Sequence, residues 1–183
     1  MKVATLVLSC ASILGLAACD TAPKTAAYYR PAPTFEEATA NPFIKSSRDA
    51  IARLVAGLDT AAASPVLVAT IVDVNDLRKA SALGRTLSEQ FGSAMVANGF
   101  NVKELKLRGD VFVRETTGEL LLSREIKDIA QIHKASTVLV GTYSVASQYT
   151  YVNLKLLRTD TGQILRAHDY ALPNNQDIQS LSR

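Results

Sequence analysis

The chain has 183 residues, a formal net charge of +3 and hydrophobic side chains at 48% of positions. That length suits one domain plus a tail, and a near-neutral balance without any Lys/Arg run argues against a nucleic-acid partner. Aromatic residues are only 6% and Trp is absent, which argues against a surface that stacks on carbohydrate.

The first nineteen residues set the compartment. Lys2 precedes an apolar run over residues 3–14, followed by Gly15, Leu16, Ala17, Ala18 and Cys19. A lone positive charge, a short apolar stretch and small residues before a cut describe a bacterial secretory signal. A membrane span needs about 20 consecutive apolar residues, and this run ends too soon at Asp20 and Thr21. An ordinary signal prefers a small residue three places before the cut, where Leu16 stands. Leu16-Ala17-Ala18-Cys19 instead resembles the lipobox of bacterial lipoproteins. That resemblance implies cleavage before Cys19 and lipid attachment to Cys19. Residues 1–18 are then a lipoprotein signal peptide and residues 19–45 a lipidated tether. Cys10 leaves with the signal, so the mature domain keeps no thiol to pair. One acyl chain holds a protein weakly, whereas the three of a lipoprotein anchor hold it persistently.

Residues 20–42 are rich in Ala, Thr and Pro and show no apolar period, as a linker does. As a flexible coil this stretch reaches on the order of 25–30 Å, and as polyproline about 70 Å. Tyr28-Tyr29-Arg30 stands out in it, either as a docking segment or as aromatics packed on the domain or membrane surface.

The folded domain is expected over residues 46–173. Ile51, Leu54, Val55, Leu58 and Ala62 recur at helical spacing, which predicts a helix over residues 47–62 capped by Ser46 or Ser47. Ser64-Pro65 breaks it, and the β-branched run over residues 66–72 predicts a strand buried on both faces. Residues 73–83 connect to a second helix, marked by Leu87, Phe91, Met95 and Val96 and stopped by Asn98-Gly99. Residues 100–107 form a strand. Residues 109–122 hold a short strand at Val111-Phe112-Val113 and a turn at Thr117-Gly118. Ser123 then caps a helix through Ile126, Ile129, Ala130 and His133. Residues 137–143 give another buried strand. The alternating residues 149–158, the turn Asp160-Thr161-Gly162 and residues 163–172 complete an antiparallel meander. The fold class is α/β, an α+β sandwich: a mixed three- to five-stranded sheet with helices packed on it, ending in that meander. Residues 174–183 read as a frayed tail.

Candidate chemistry is thin. Asp160-Thr161-Gly162 matches the tripeptide of aspartic proteases, which need two such carboxylates sharing a proton, and there is one copy here between two strands, where a turn wants Asp and Gly. His133 and His168 lie far apart without metal-ligand spacing. Asp73 and Asp76 follow the end of a strand, a common place for functional groups and equally for capping acids. Gly141 reads as a site of close backbone approach. No catalytic residue, metal, cofactor or small-molecule substrate is expected. Lys103, Lys106, Arg108, Arg114, Arg124 and Lys127 bias the middle of the chain positive, as a solvated mixed-charge face or as a docking face for an acidic partner.

From about Pro65 to Pro173 the chain resembles the FlgO family of flagellar envelope lipoproteins. The resemblance rests on the run from Val66 to Asp73 with Asp76-Leu77, and on Leu83-Gly84-Arg85-Thr86-Leu87-Ser88-Glu89-Gln90. It continues through Val102-Lys103-Glu104-Leu105-Lys106-Leu107-Arg108, Leu121-Leu122-Ser123-Arg124-Glu125 and Val138-Leu139-Val140-Gly141-Thr142-Tyr143, then Tyr151-Val152-Asn153-Leu154 and Asp169-Tyr170-Ala171-Leu172-Pro173. It implies a fold similar to the amino-terminal domain of TolB and a non-enzymatic lipoprotein. Such a protein supports the flagellum and motility from the periplasmic face of the outer membrane, with envelope or basal-body proteins as partners. Asp20 directly after Cys19 points the other way, toward the inner membrane, by the sorting rule of enteric bacteria. A subunit of an envelope secretion or pore assembly is the alternative, with an exposed meander edge extending a neighbour's sheet.

Overall fold

The computed structural model describes residues 32–60, 64–77, 80–104, 112–113, 121–122 and 124–183. The signal, Cys19 and Tyr28-Tyr29-Arg30 lie outside these residues, as do Ser123 and the turn at Thr117-Gly118.

After a short helix, α1 (Phe35–Thr39), comes α2 (Pro42–Leu54). This second helix begins earlier and stops sooner than its apolar spacing predicts. Its cap is Asn41, whose side chain accepts from the Phe43 N–H, and Pro42 fills the first turn, where a missing N–H costs nothing. Ser47, expected as a cap, is fully buried inside the helix and donates to the Phe43 carbonyl oxygen. Ala50, Ile51 and Leu54 form the buried stripe.

The buried run after Pro65 is two strands, β1 (Val66–Val68) and β2 (Val72–Asp73), not one. Both pair in parallel with β6 (Thr137–Val145), but the register slips between them. Val68 faces Leu139 while Val72 faces Thr142, so four steps on one side match three on the other. This is a bulge, and it leaves the Ile71 N–H without a ladder partner. Ser88 supplies one: its hydroxyl accepts from Ile71 N at 2.8 Å and lies 2.8 Å from the Gly84 carbonyl oxygen, to which it donates.

Ser88 belongs to α3 (Ala82–Ala97), capped by Ser81 and closed at Gly99, whose φ of +87° is the left-handed turn foreseen at Asn98-Gly99. The helix rides so close on the bulge that a Cβ on Gly84 would stand 1.9 Å from the Ile71 carbonyl oxygen. Gly141 in β6 is similarly pressed, with the Asn153 carbonyl oxygen 2.6 Å from where a Cβ would sit. That is the close approach its sequence position indicates.

β3 (Val102–Glu104) pairs in parallel with β1. β4 (Phe112–Val113) and β5 (Leu121–Leu122) form a separate antiparallel pair, followed by α4 (Arg124–Ile132). β6, β7 (Tyr149–Arg158) and β8 (Ile164–Pro173) make the expected meander. The main sheet runs β3-β1-β6-β7-β8, with β2 also beside β6. It is mixed α/β, as expected, though with six strands rather than three to five because the 66–72 run is split in two: parallel on one side of β6 and antiparallel on the other.

The tail is not frayed. Asn175 caps a last helix, α5 (Gln176–Leu181), and Ile178 is 2% exposed in the main core. Asn174 fastens the approach: it accepts from the Thr150 hydroxyl at 2.6 Å, and its amide hydrogen-bonds the Ala146 carbonyl oxygen. A polar, Ser/Gln-rich ending hides two apolar contacts, Ile178 and the partly buried Leu181, and a single i, i+3 pair is too short a period to predict a helix.

Candidate interaction surfaces

The two faces of the sheet are covered unequally. Under α2, α3 and α5 lie Val66, Val68, Leu139, Tyr143, Val152, Leu154, Leu156 and Leu172. On the other face α4 covers a smaller patch, with Ala130 packed against Leu67, Val138, Val140 and Leu157. Beyond α4 that second face opens to solvent. Alternation in β7 places Tyr149 and Tyr151 there, 46% and 50% exposed, while Thr150 between them and Val152 after them are fully buried. Opposite Tyr151 stand Ser144 in β6 and Ala171 in β8, and opposite Asn153 stands Asp169. The result is a flat surface of two tyrosines among small and polar side chains, the composition of contact surfaces more than of cavities.

β8 ends the order of the sheet, ten residues long. Its pairing with β7 skips Leu165, because Leu156 faces Arg166 while Leu157 faces Ile164. A bulge, Arg166, Asp169 and the terminal Pro173 are devices that discourage another strand from adding to an edge.

The carboxylates singled out by sequence act locally. Asp160 receives Arg158 Nε at 3.0 Å and a terminal guanidinium nitrogen at 2.6 Å. The guanidinium holds its carboxyl well below the usual range, so it stays ionised as a turn acid. Gly162, at φ +74°, completes the turn. Asp73 Oδ1 accepts from the Asn75 backbone and side-chain amides, closing the loop after β2. His133 follows α4, and His168 stacks on Tyr170 within β8 at 6.4 Å between ring centres. Among the described residues no group of three or more His, Cys, Asp or Glu is placed to hold a metal ion. No helix among them is long and apolar enough to cross a membrane.

Two buried phenols were not singled out by sequence. Tyr143 donates to Ser81 Oγ at 2.7 Å, tying β6 to the cap of α3, and burial raises its pKa. Tyr170 is pushed up to about 12 by burial against α2; Ser47 lies close enough to ease the shift, yet no hydrogen bond satisfies its hydroxyl. Both are structural.

A cleft of about 380 Å³ opens where α4 ends, between Lys127, Gln131 and Lys134 on one side and Ser136, Thr159 and Asp160 on the other. The run of basic positions in the sequence anticipates Lys127, whereas Lys134 lies outside that run.

Fold and surfaces together define a small mixed α/β domain. The chain belongs to the FlgO family: the model of the FlgO protein matches residues 48–177. Among solved structures the fold is similar to the C-terminal domain of LpoB from Escherichia coli, with 16% identity and a TM-score of 0.48 over 71% of this chain and 97% of that one. It is also similar to the same domain from Salmonella enterica, at 18% identity and a TM-score of 0.47 over 69% and 94%. TolB from Acinetobacter baumannii is similar at 13% identity and a TM-score of 0.37, over 64% of this chain and 25% of that one. No curated protein matches the chain in sequence.

Proposed function

We propose that this chain is a lipid-anchored, non-enzymatic binding module of a Gram-negative envelope that supports the flagellum and motility. Membership of the FlgO family over residues 48–177 is the observation that carries the reading. The N-terminal sequence supports the anchor: residues 1–18 as a lipoprotein signal peptide and Cys19 as the lipid attachment site. The tether up to the first helices would let the domain stand clear of the headgroups, on the periplasmic face of the outer membrane. Asp20 makes the inner membrane the competing location. Confinement to a thin layer raises the effective concentration for neighbouring envelope or basal-body proteins without any new contact. The open Tyr149/Tyr151 face is a surface available for such contact.

The alternative, a subunit of a secretion or pore assembly joined through the β8 edge, is disfavoured by the bulge, charges and proline on that edge.

Deletion of the gene, scored for swimming and for flagella by electron microscopy, tests the reading. Impaired swimming restored by the wild-type gene is expected. Normal swimming with intact flagella would overturn the flagellar role and leave a general envelope-binding module.

A further inference from the structure

We infer that the cleft at the end of α4 receives acidic side chains of a protein partner, with Lys127 and Lys134 as its cationic contacts. This deepens the binding-module reading, on which it rests for the partner's being a protein.

The backbone supplies the first argument. Lys134 is the one non-glycine residue with positive φ (+52°) among the described residues. It occupies a position that usually belongs to glycine. The Ala135 N–H reaches back to the Ala130 carbonyl oxygen at 2.8 Å, and the Lys134 N–H to that of Gln131 at 3.1 Å. α3 closes with the same pair of bonds, from Phe100 to Met95 and from Gly99 to Val96, and there the left-handed residue is Gly99. A lysine favours a helix C-terminus through the macrodipole, but it does so from the last turn on an unstrained backbone. The last turn of α4 contains no basic residue. The ammonium has been placed instead at a strained position that borders a cleft, and such strain collects at contact sites.

Charge supplies the second. Asp160, the acid in the cleft wall, is engaged by Arg158. The Thr159 hydroxyl donates to the Ala135 carbonyl oxygen, and the Ser136 hydroxyl pairs with that of Ser64. Among the described residues Lys127 and Lys134 make no ion pair, and both line the cleft. Spacing decides between a small anion and a chain. From Lys127 to the end of α4 at Ile132 is about 7.5 Å along the axis, and Lys134 stands in the turn beyond it. Two carboxylates at alternate positions of an extended segment lie about 7 Å apart, within reach of two long flexible side chains. One phosphate would have to draw both lysines to a single point.

The test uses the purified full-length chain in detergent and a fluorescent peptide of alternating Glu and Ser, read by anisotropy, with the Gln/Ser peptide as control. The Glu peptide should bind about tenfold more tightly than its Gln counterpart, more weakly as salt rises, and inorganic phosphate at equal charge should not displace it. Lys134→Gly should weaken binding about threefold while keeping or raising the melting temperature, because the backbone position suits glycine. Lys127→Gln should weaken it by a similar factor. Equal affinity for the two peptides, no binding, displacement by phosphate, or full binding by Lys134→Gly would each overturn the inference. Swimming is not part of this readout. A deletion that impairs swimming together with a chain that ignores the peptide removes the cleft and leaves the binding-module reading standing.

Discussion

On the side of the sheet facing α2 and α3, Ile51, Leu83, Leu87, Phe91, Leu139 and Leu154 are shut off from solvent, and even the interrupted ladder at Ile71 is repaired by Ser88. On the opposite side α4 covers only the patch around Val138 and Val140, and the strands beyond it present Tyr149 and Tyr151 to water. One face spends its side chains on packing and leaves them no freedom to contact anything else. The other keeps a small core under α4 and a larger share of side chains free. Substitutions on the two sides should therefore differ in their effect on stability.

α3 alone makes the sharpest contrast, because it carries a glycine on each side. Gly84→Ala forces a methyl group against the Ile71 carbonyl oxygen and should cost about 3 kcal/mol or more, measured by urea denaturation. Gly92→Ala meets nothing within 4 Å and should stabilise the helix by about 0.5–1 kcal/mol. Equal effects at the two glycines would contradict the tight seat of α3 on the Ile71 bulge.

Next in size, Ile178→Ala should cost about 2–4 kcal/mol, since the side chain is buried among the main core residues. A variant as stable as the parent would return residues 174–183 to the status of a loose tail.

Smaller again is the effect of Tyr170. Its pKa is raised from 10.0 to about 12 in the fold, so its contribution is intact below pH 10 and is lost as pH rises from about 10 to 12. The loss is on the order of 2 kcal/mol. Tyr170→Phe should be at least as stable at pH 7, because it removes a buried hydroxyl with no partner, and its stability should lack that alkaline fall. A parent chain whose stability is flat across that window would contradict the burial of the phenol.

The smallest effect on folding belongs to the open face. Tyr151→Ser should shift stability by less than about 0.5 kcal/mol and leave the melting curve unchanged. A loss comparable to that of Ile178→Ala would mean that this face is part of the core.

Much of this division is legible in the sequence, and the misses have identifiable causes. The alternation from Tyr149 to Arg158 declares one buried and one open face, and the Asp160–Gly162 turn follows from its residue types. The helix at Asn98-Gly99 ends where a glycine must. The run 66–72 reads as one strand because apolar periodicity is blind to register; the bulge is visible only in the pairing with β6 and in the serine that answers it. The start of α2 is displaced because the Pro42-Phe43 pair resembles linker until Asn41 is seen to cap it. Lys134 is missed because nothing in a sequence marks a lysine as left-handed.

The lipid anchor proposed at Cys19 is what would hold the binding domain in the envelope. Its most direct test is swimming of the deletion strain carrying the Cys19→Ser allele, with the exported protein matched to wild-type levels. An unlipidated, unprocessed protein and no rescue of swimming are expected. Full rescue, or a normally processed and membrane-bound Cys19→Ser protein, would contradict it.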